Sequence, residues 1–148
     1  MVVETRIAAP PRVCFDLARD VEAHTNSASF SHERVIPPGR TSGLLELGDT
    51  VTFEGVHFGM RQSFTAKIVE VDAPHRFVDE LVKSTFRHLR HVHEFLPDGT
   101  GTLMRDTLDW KSPLGILGVL ADKIAVERHM RWFVATKQRA LKELAEGR

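Results

Sequence analysis

Apolar and polar residues alternate from the start of the chain: VVETRI, residues 2 to 7, repeats every second position and predicts a strand. AAPPRVCFDLARD then places Pro10 and Pro11 where the first turn of a helix tolerates them, with Val13, Cys14, Leu17 and Ala18 as its buried stripe. VEAHTNSASFSHE is polar and irregular and suits a short second helix or a loop. ERVIPPGRTSG reads as a brief strand and a long turn.

From Asp49 the pattern is strand after strand. DTVTFEGVHF and RQSFTAKIVEV flank Gly59-Met60, a two-residue loop with glycine first, as a type II′ hairpin requires. Closing it with Phe58 against Arg61 puts Val51, Phe53, Gly55 and His57 on one face with Gln62, Phe64, Ala66 and Ile68. RFVDELVK (76 to 83), FRHLRHVHEFL (86 to 96) and TLMRDTLDW (102 to 110) follow, with turns at Ser84-Thr85 and at PDGTG. From about Gly115 to Ala145 the spacing of Val119, Val126, Met130, Phe133, Leu141 and Leu144 predicts one long helix. Its first half is apolar on a second side too, through Leu117, Leu120, Ala121 and Ile124. A curved antiparallel sheet wrapped around that helix buries its stripe most simply. The expected class is therefore an α+β two-layer domain with a space between sheet and helix.

Three histidines crowd into RHLRHVHEF, residues 87 to 95. On a strand His91, His93 and Phe95 point one way and His88, Arg90, Val92 and Glu94 the other. Phe95 marks its own face as the inner one. On the following strand Met104, Asp106, Leu108 and Trp110 form the apolar face, and closing the hairpin with Pro97 opposite Thr102 sets Phe95 against Met104 and His93 against Asp106. One strand earlier, Phe77, Asp79 and Leu81 are taken as the inner side in preference to Val78, Glu80 and Val82. The inner surface then holds Asp79, His91, His93 and Asp106 among Phe53, Phe64, Phe77, Phe95 and Trp110.

Composition narrows the function classes. A chain of 148 residues, 42% hydrophobic, fits one globular domain over 1–148. Twenty basic and twenty acidic residues cancel, so no overall field draws it to nucleic acid or an anionic membrane. The single cysteine, Cys14, excludes an internal disulfide and reads as packing. The first residues lack a secretory pattern, and the longest apolar stretch, Leu114 to Leu120, is too short to span a bilayer. A cytoplasmic protein with no membrane insertion is expected.

The chain resembles the SRPBCC or START-like superfamily of helix-grip domains, and within it the polyketide cyclase/dehydrase-like proteins. The resemblance is carried by RIAAPPRVCFDLARD (6 to 20), HFG (57 to 59), PHRFVDE (74 to 80), RHVHEF (90 to 95), GTLMRD (101 to 106) and PLGILG (113 to 118). A subgroup has a strand of the form His-x-His-x-Phe followed by Gly-Thr-x-Met-x-Asp, matched by His91, His93, Phe95, Gly101, Thr102, Met104 and Asp106. It implies the START/Bet v 1-like helix grip, a β-α-α start, a curved sheet and a long C-terminal helix. The superfamily hosts lipid carriers, receptors, cyclases and oxygenase subunits, so the fold does not name a reaction.

Four readings of His91, His93 and Asp106 stand together: a hydrogen-bonded structural cluster, a ligand-orienting group, a general acid/base pair, or a metal site completed by His57 or Asp79. Oxygenase subunits of the superfamily use a helical His-x3/4-His arrangement absent from this chain, so neither metal nor other cofactor is expected. His24, His32, His75, His88 and His129 have no partner that sequence can supply, and Arg128, Arg131, Lys137, Arg139 and Lys142 read as a solvated helix face.

The expected function is binding of a small, largely hydrophobic molecule between sheet and helix. The expected site comprises Phe53, His57, Phe64, Phe77, Asp79, His91, His93, Phe95, Met104, Asp106, Trp110, Leu117, Leu120 and Ile124. The alternatives are a cyclase or dehydratase in which His93, polarised by Asp106, moves a proton on a polyketide-like substrate, and a ligand-free interaction module. The sequence leaves open whether any reaction is catalysed, and the oligomeric partner.

Overall fold

The computed structural model describes residues 1–27, 32–57, 59–83, 88–111 and 122–147. Its elements are β1 (Val2–Ile7), α1 (Pro11–Ala18), α2 (Val21–Ser27), β2 (Arg34–Ile36), β3 (Thr50–His57), β4 (Met60–Asp72), β5 (Arg76–Lys83), β6 (His88–Asp98) and β7 (Gly101–Lys111). A π-helical turn (Asp122–Val126) then runs into the terminal helix α3 (Glu127–Ala145). Among the described residues the strands form one antiparallel sheet in the order β1-β7-β6-β5-β4-β3-β2. The sheet curls around α3, which is the α+β helix grip expected from sequence.

Pro11 stands at the first helical position of α1, where a missing N–H breaks no intrahelical bond. The buried direction of this short helix differs from the expected stripe: Val13 is exposed, and Cys14 and Phe15 are buried. The largest apolar side chain decides the rotation. Phe15 meets Phe77 and Phe95 edge-on, each at 5.7 Å between ring centroids. With Ile7, Cys14 and Met104 these rings make the main core. A second group, Val3, Leu108 and Val134, with Trp110 and Phe133 packed on it, lies toward the opposite ends of β1 and β7.

The β6/β7 hairpin has the expected register, Pro97 opposite Thr102, Phe95 opposite Met104 and His93 opposite Asp106. The β3/β4 hairpin is offset by two residues in register from expectation. His57 pairs with Met60, and Gly59, just before β4, takes the left-handed conformation with φ 71°. An offset of two leaves every side chain on its expected face. Phe53 now lies opposite Phe64 and Val51 opposite Ala66. Gly101 is required for a different reason: a Cβ there would stand 2.5 Å from the carbonyl oxygen of Ile7, so β1 can end this close to β7 only beside a glycine.

On β5 the competition between faces resolves as expected, with Phe77, Asp79 and Leu81 inside. Val78 is nonetheless fully buried on the outer face. There it stands opposite Val92, among the ion-paired Glu70, Arg76, Glu80 and Arg90. The single long helix expected from Gly115 is a correction in part. Regular α-helix begins at Glu127, the preceding turn from Asp122 is π-helical, and the earlier part of the expected helix, with Leu117 and Leu120, falls outside the described residues.

Candidate functional site

A cavity of about 450 Å³ remains between the curled sheet and α3. Its wall is mostly aliphatic and aromatic: Val51, Phe53, Phe64, Ala66, Ile68, Phe77, Leu81, Leu89, Met104 and Leu108 from the sheet, and Val126, Met130, Phe133, Val134 and Leu141 from the helix side. Among the described residues, two hydrogen-bonded polar clusters and, beyond them, a histidine pair interrupt it.

The first stands on the sheet. Phe77, His93 and His91 stack in a column, with ring centroids 4.2 Å apart for the first pair and 3.7 Å for the second. Adjacent inner positions of β6 and the neighbouring inner position of β5 impose this order. Asp79 Oδ2 accepts from His93 Nε2 at 2.7 Å, and Asp106 Oδ1 accepts from His91 Nε2 at 2.7 Å. His93 Nδ1 is also 2.9 Å from Asp106 Oδ1, but off the line of a hydrogen bond, so this contact is electrostatic. Behind Asp106, α3 supplies Gln138, 1% exposed, whose amide nitrogen donates to Asp106 and to the carbonyl of Val3. Thr5 completes the set by donating its hydroxyl to Gln138 Oε1 at 2.7 Å.

Charge distribution follows from these contacts. Burial works against a charge on His93, yet the carboxylates of Asp106 and Asp79 on either side overcome it and hold its pKa up at about 9. Burial opposes ionisation of Asp106 and Asp79 as well, but the histidines beside them keep both carboxyls below the ordinary range. Burial and the charge on His93 push His91 down. At neutral pH the group therefore holds two carboxylates, one imidazolium and one neutral imidazole. Because His91 Nε2 carries the proton given to Asp106, its Nδ1 is an acceptor.

The second polar group joins α2, the segment before β2, and α3. His24 stacks on Phe53 at 4.4 Å, and its Nε2 lies 3.1 Å from Glu33 Oε1. Lys137 Nζ hydrogen-bonds the His24 ring, lies 4.0 Å from Glu33 Oε1 and sits 5.3 Å from the centre of Phe133. Burial would raise the Glu33 carboxyl, but Lys137 and His24 bring it down to about 2. Burial, and then the lysine, lower His24; Lys137 itself is lowered by burial. Further along, His57 Nδ1 and His129 Nε2 share a hydrogen bond at 2.9 Å.

Of the residues expected at the site, Phe53, His57, Phe64, Phe77, Asp79, His91, His93, Met104 and Asp106 line the cavity. Phe95 does not. It is fully buried beneath the wall, stacked on Phe77 and edge-on to Phe15, and belongs to the core. Trp110 is half-buried against Val3, Leu108 and Val134, where β7 runs past the cavity. Ile124 is 65% exposed in a separate surface hollow beside Trp132, because the π-helical turn leaves it outside the stripe that faces the sheet. Leu117 and Leu120 lie outside the described residues. The partner expected for His93 is also redistributed: Asp106 stands opposite it on the backbone, but its hydrogen bond goes to His91 and that of His93 to Asp79.

Sequence reasoning missed His24, Glu33, Lys137, Gln138 and the His57–His129 contact. For two of them a signal was present. Met130, Phe133 and Leu141 define a stripe on which 137 falls seven residues after Met130 and four after Phe133, and 138 eight after Met130 and three before Leu141. Lys137 and Gln138 therefore stand on the buried face, and the reading of Lys137 as solvated is corrected. Glu33 and His24 lie in an irregular stretch where no period announces burial.

Asp79, His91 and His93 also place three ligand-type atoms within 4.8 Å of one another, a spacing a metal ion could use. Each is already engaged in the hydrogen bonds just described, so the residues have an alternative occupation without an ion.

Comparison with known proteins agrees with this architecture. TTHA0849 from Thermus thermophilus superposes with a TM-score of 0.80 at 23% identity, covering 99% of this chain and 97% of that one. CV1439 from Chromobacterium violaceum gives 0.73 at 14%, covering 99% and 96%. Major latex-like protein 151 from Panax ginseng gives 0.74 at 12%, covering 98% and 95%. At these identities the likeness is one of fold. No curated protein matches the sequence significantly. Residues 7–133 match the family described as polyketide cyclase / dehydrase and lipid transport. With that match over most of its length, the chain belongs to this family.

Proposed function

We propose that the protein binds a small, largely hydrophobic molecule in the cavity and orients it by one uncharged hydrogen-bonding group placed at the His91–His93 stack. The observation that carries this reading is a cavity of about 450 Å³ with an apolar wall and a hydrogen-bonded polar group set into it, the usual constitution of a ligand pocket. Such a volume, left unfilled by side chains, speaks against a ligand-free interaction module. Two carboxylates against one imidazolium leave the sheet group net negative, which disfavours a ligand carboxylate there. The Nδ1 acceptor of His91 favours an alcohol, phenol or enol.

The test uses N-phenyl-1-naphthylamine, a neutral fluorescent probe, displaced by octan-1-ol or octanoate. One probe molecule is expected to bind per chain, with octan-1-ol displacing it better than octanoate. Ala66→Trp, which adds an indole to the cavity wall, is expected to weaken the probe about tenfold at nearly constant Tm, since it fills space already empty. A wild-type protein that takes up no probe, or an Ala66→Trp variant that binds it equally, would sink the proposal.

The position of His93 between two carboxylates favours a second reading, a cyclase or dehydratase in which His93 and Asp106 move a proton on an enolisable substrate. Under that reading His93→Gln abolishes turnover of an enolisable ketone and keeps probe binding. Under the binding reading no turnover is there to lose.

A further inference from the structure

Lys137 stands apart from the hydrogen-bonding group assigned to ligand orientation, yet its amine opens on the same cavity. The fold brings it there. It occupies the buried stripe of α3 and its side chain is only 17% exposed. Nζ rests between the Phe133 ring and the imidazole of His24, and the carboxylate that faces it, Glu33, is 4.0 Å away, too far for a direct hydrogen bond. A buried amine set against the Phe133 ring, with a proton acceptor in contact and an empty space in front, has the constitution of a carbonyl-reactive lysine.

We propose that Lys137 condenses reversibly with the carbonyl group of an apolar aldehyde or ketone held in the cavity, with His24 as its proton relay. This rests on the hydrophobic-ligand reading and narrows it to carbonyl compounds. The ammonium passes a proton to His24, and the freed lone pair attacks the carbonyl carbon. The π electrons move to oxygen, which takes the proton back from His24. Nitrogen then releases a second proton to His24, giving a neutral carbinolamine. His24 returns it to the hydroxyl, which departs as water while the nitrogen pair forms C=N. The balance is one ammonium plus one carbonyl giving one protonated imine and one water, with no oxidant or reductant. Glu33, hydrogen-bonded to His24, steadies the imidazolium in each transit. Burial, which lowers the pKa of Lys137, supplies more free amine near neutrality than an exposed lysine has.

The experiment incubates the full chain with octanal and sodium cyanoborohydride at pH 7, reads the secondary amine by intact mass and locates it by peptide mapping. Octan-1-ol binding is followed in parallel by displacement of N-phenyl-1-naphthylamine. Label is expected at Lys137 about tenfold faster than at the exposed Lys67 and Lys83. Octan-1-ol in excess is expected to suppress the Lys137 label alone. Lys137→Arg keeps the cation but cannot form the imine, and is expected to lose the fast label and keep octan-1-ol binding. If octan-1-ol binds but Lys137 labels no faster than Lys67, the proposal is overturned and the cavity reading survives. If neither octan-1-ol nor octanal enters, both fall together.

Discussion

Asp106→Ala is expected to destabilise the protein by about 3–5 kcal/mol in urea unfolding, the range for removing one partner from a buried ionic group. Asp106 is 2% exposed and receives His91 on one oxygen and Gln138 on the other, with the His93 ring against it. Alanine would leave these donors facing a small void, and the imidazolium of His93 would keep one flanking carboxylate where it had two. For a chain of this length the loss corresponds to a fall of roughly 10 °C in Tm. Asp106→Asn keeps the volume and one acceptor and is expected to cost about half as much. A second substitution separates pairing from packing: Gln138→Leu removes the donor behind Asp106, so the double variant Asp106→Ala/Gln138→Leu is expected to lose less than the sum of the two single losses. Additive losses, or a loss under about 1 kcal/mol for Asp106→Ala, would mean that Asp106 does not hold the group together.

The same residue shows what a sequence can and cannot disclose. That His93 and Asp106 stand opposite each other is legible, because PDGTG fixes a hairpin and alternation then fixes each pair. That Asp106 bonds His91 and His93 bonds Asp79 is not. Neighbouring inner positions on three adjacent strands offer direct and diagonal partners at similar reach, and ring stacking chooses between them. On β3/β4 the expected loop sits one residue late, which shifts the register by two, yet the faces survive because the side-chain period is two. Helical residues tell the opposite story. Lys137 and Gln138 fall on the buried stripe by spacing, but their polarity argues for solvent. Only tertiary partners, His24 and Glu33 for one and Asp106 and Thr5 for the other, offset the cost of burying them. His24 and Glu33 come from a stretch with no period, so those partners cannot be inferred in advance.

Raising the pH from 6.5 to 9 is expected to destabilise the protein, on the side of neutrality where most proteins change little. His93 has a pKa of about 9 when folded and that of an ordinary histidine, about 6.5, when unfolded. The folded state thus binds the proton more tightly. The stability it confers is fully present below about pH 6.5 and is lost as pH rises toward 9, by at most about 3 kcal/mol. Lys137 acts in the opposite sense. Its folded pKa lies below that of a free lysine, so its contribution improves as pH climbs past that lowered value. His24, His57 and His91, all lowered by burial, weaken the fold as pH drops below 6.5, and Asp79, Asp106 and Glu33 do so below the ordinary carboxylate range. The net expectation is a stability maximum near pH 6.5–7 with a descending alkaline limb. The difference between wild type and His93→Gln reads the limb, because Lys137, His24, His57 and Glu33 are common to both and only the groups beside His93, namely His91, Asp79 and Asp106, respond to its loss. Urea midpoints at pH 6, 7, 8 and 9 should converge as pH rises, the wild type falling toward a flatter variant. Parallel midpoints at all four pH values would show that the two carboxylates do not hold a proton on His93, and would remove the imidazolium from the charge balance on which the preference for an uncharged ligand group depends.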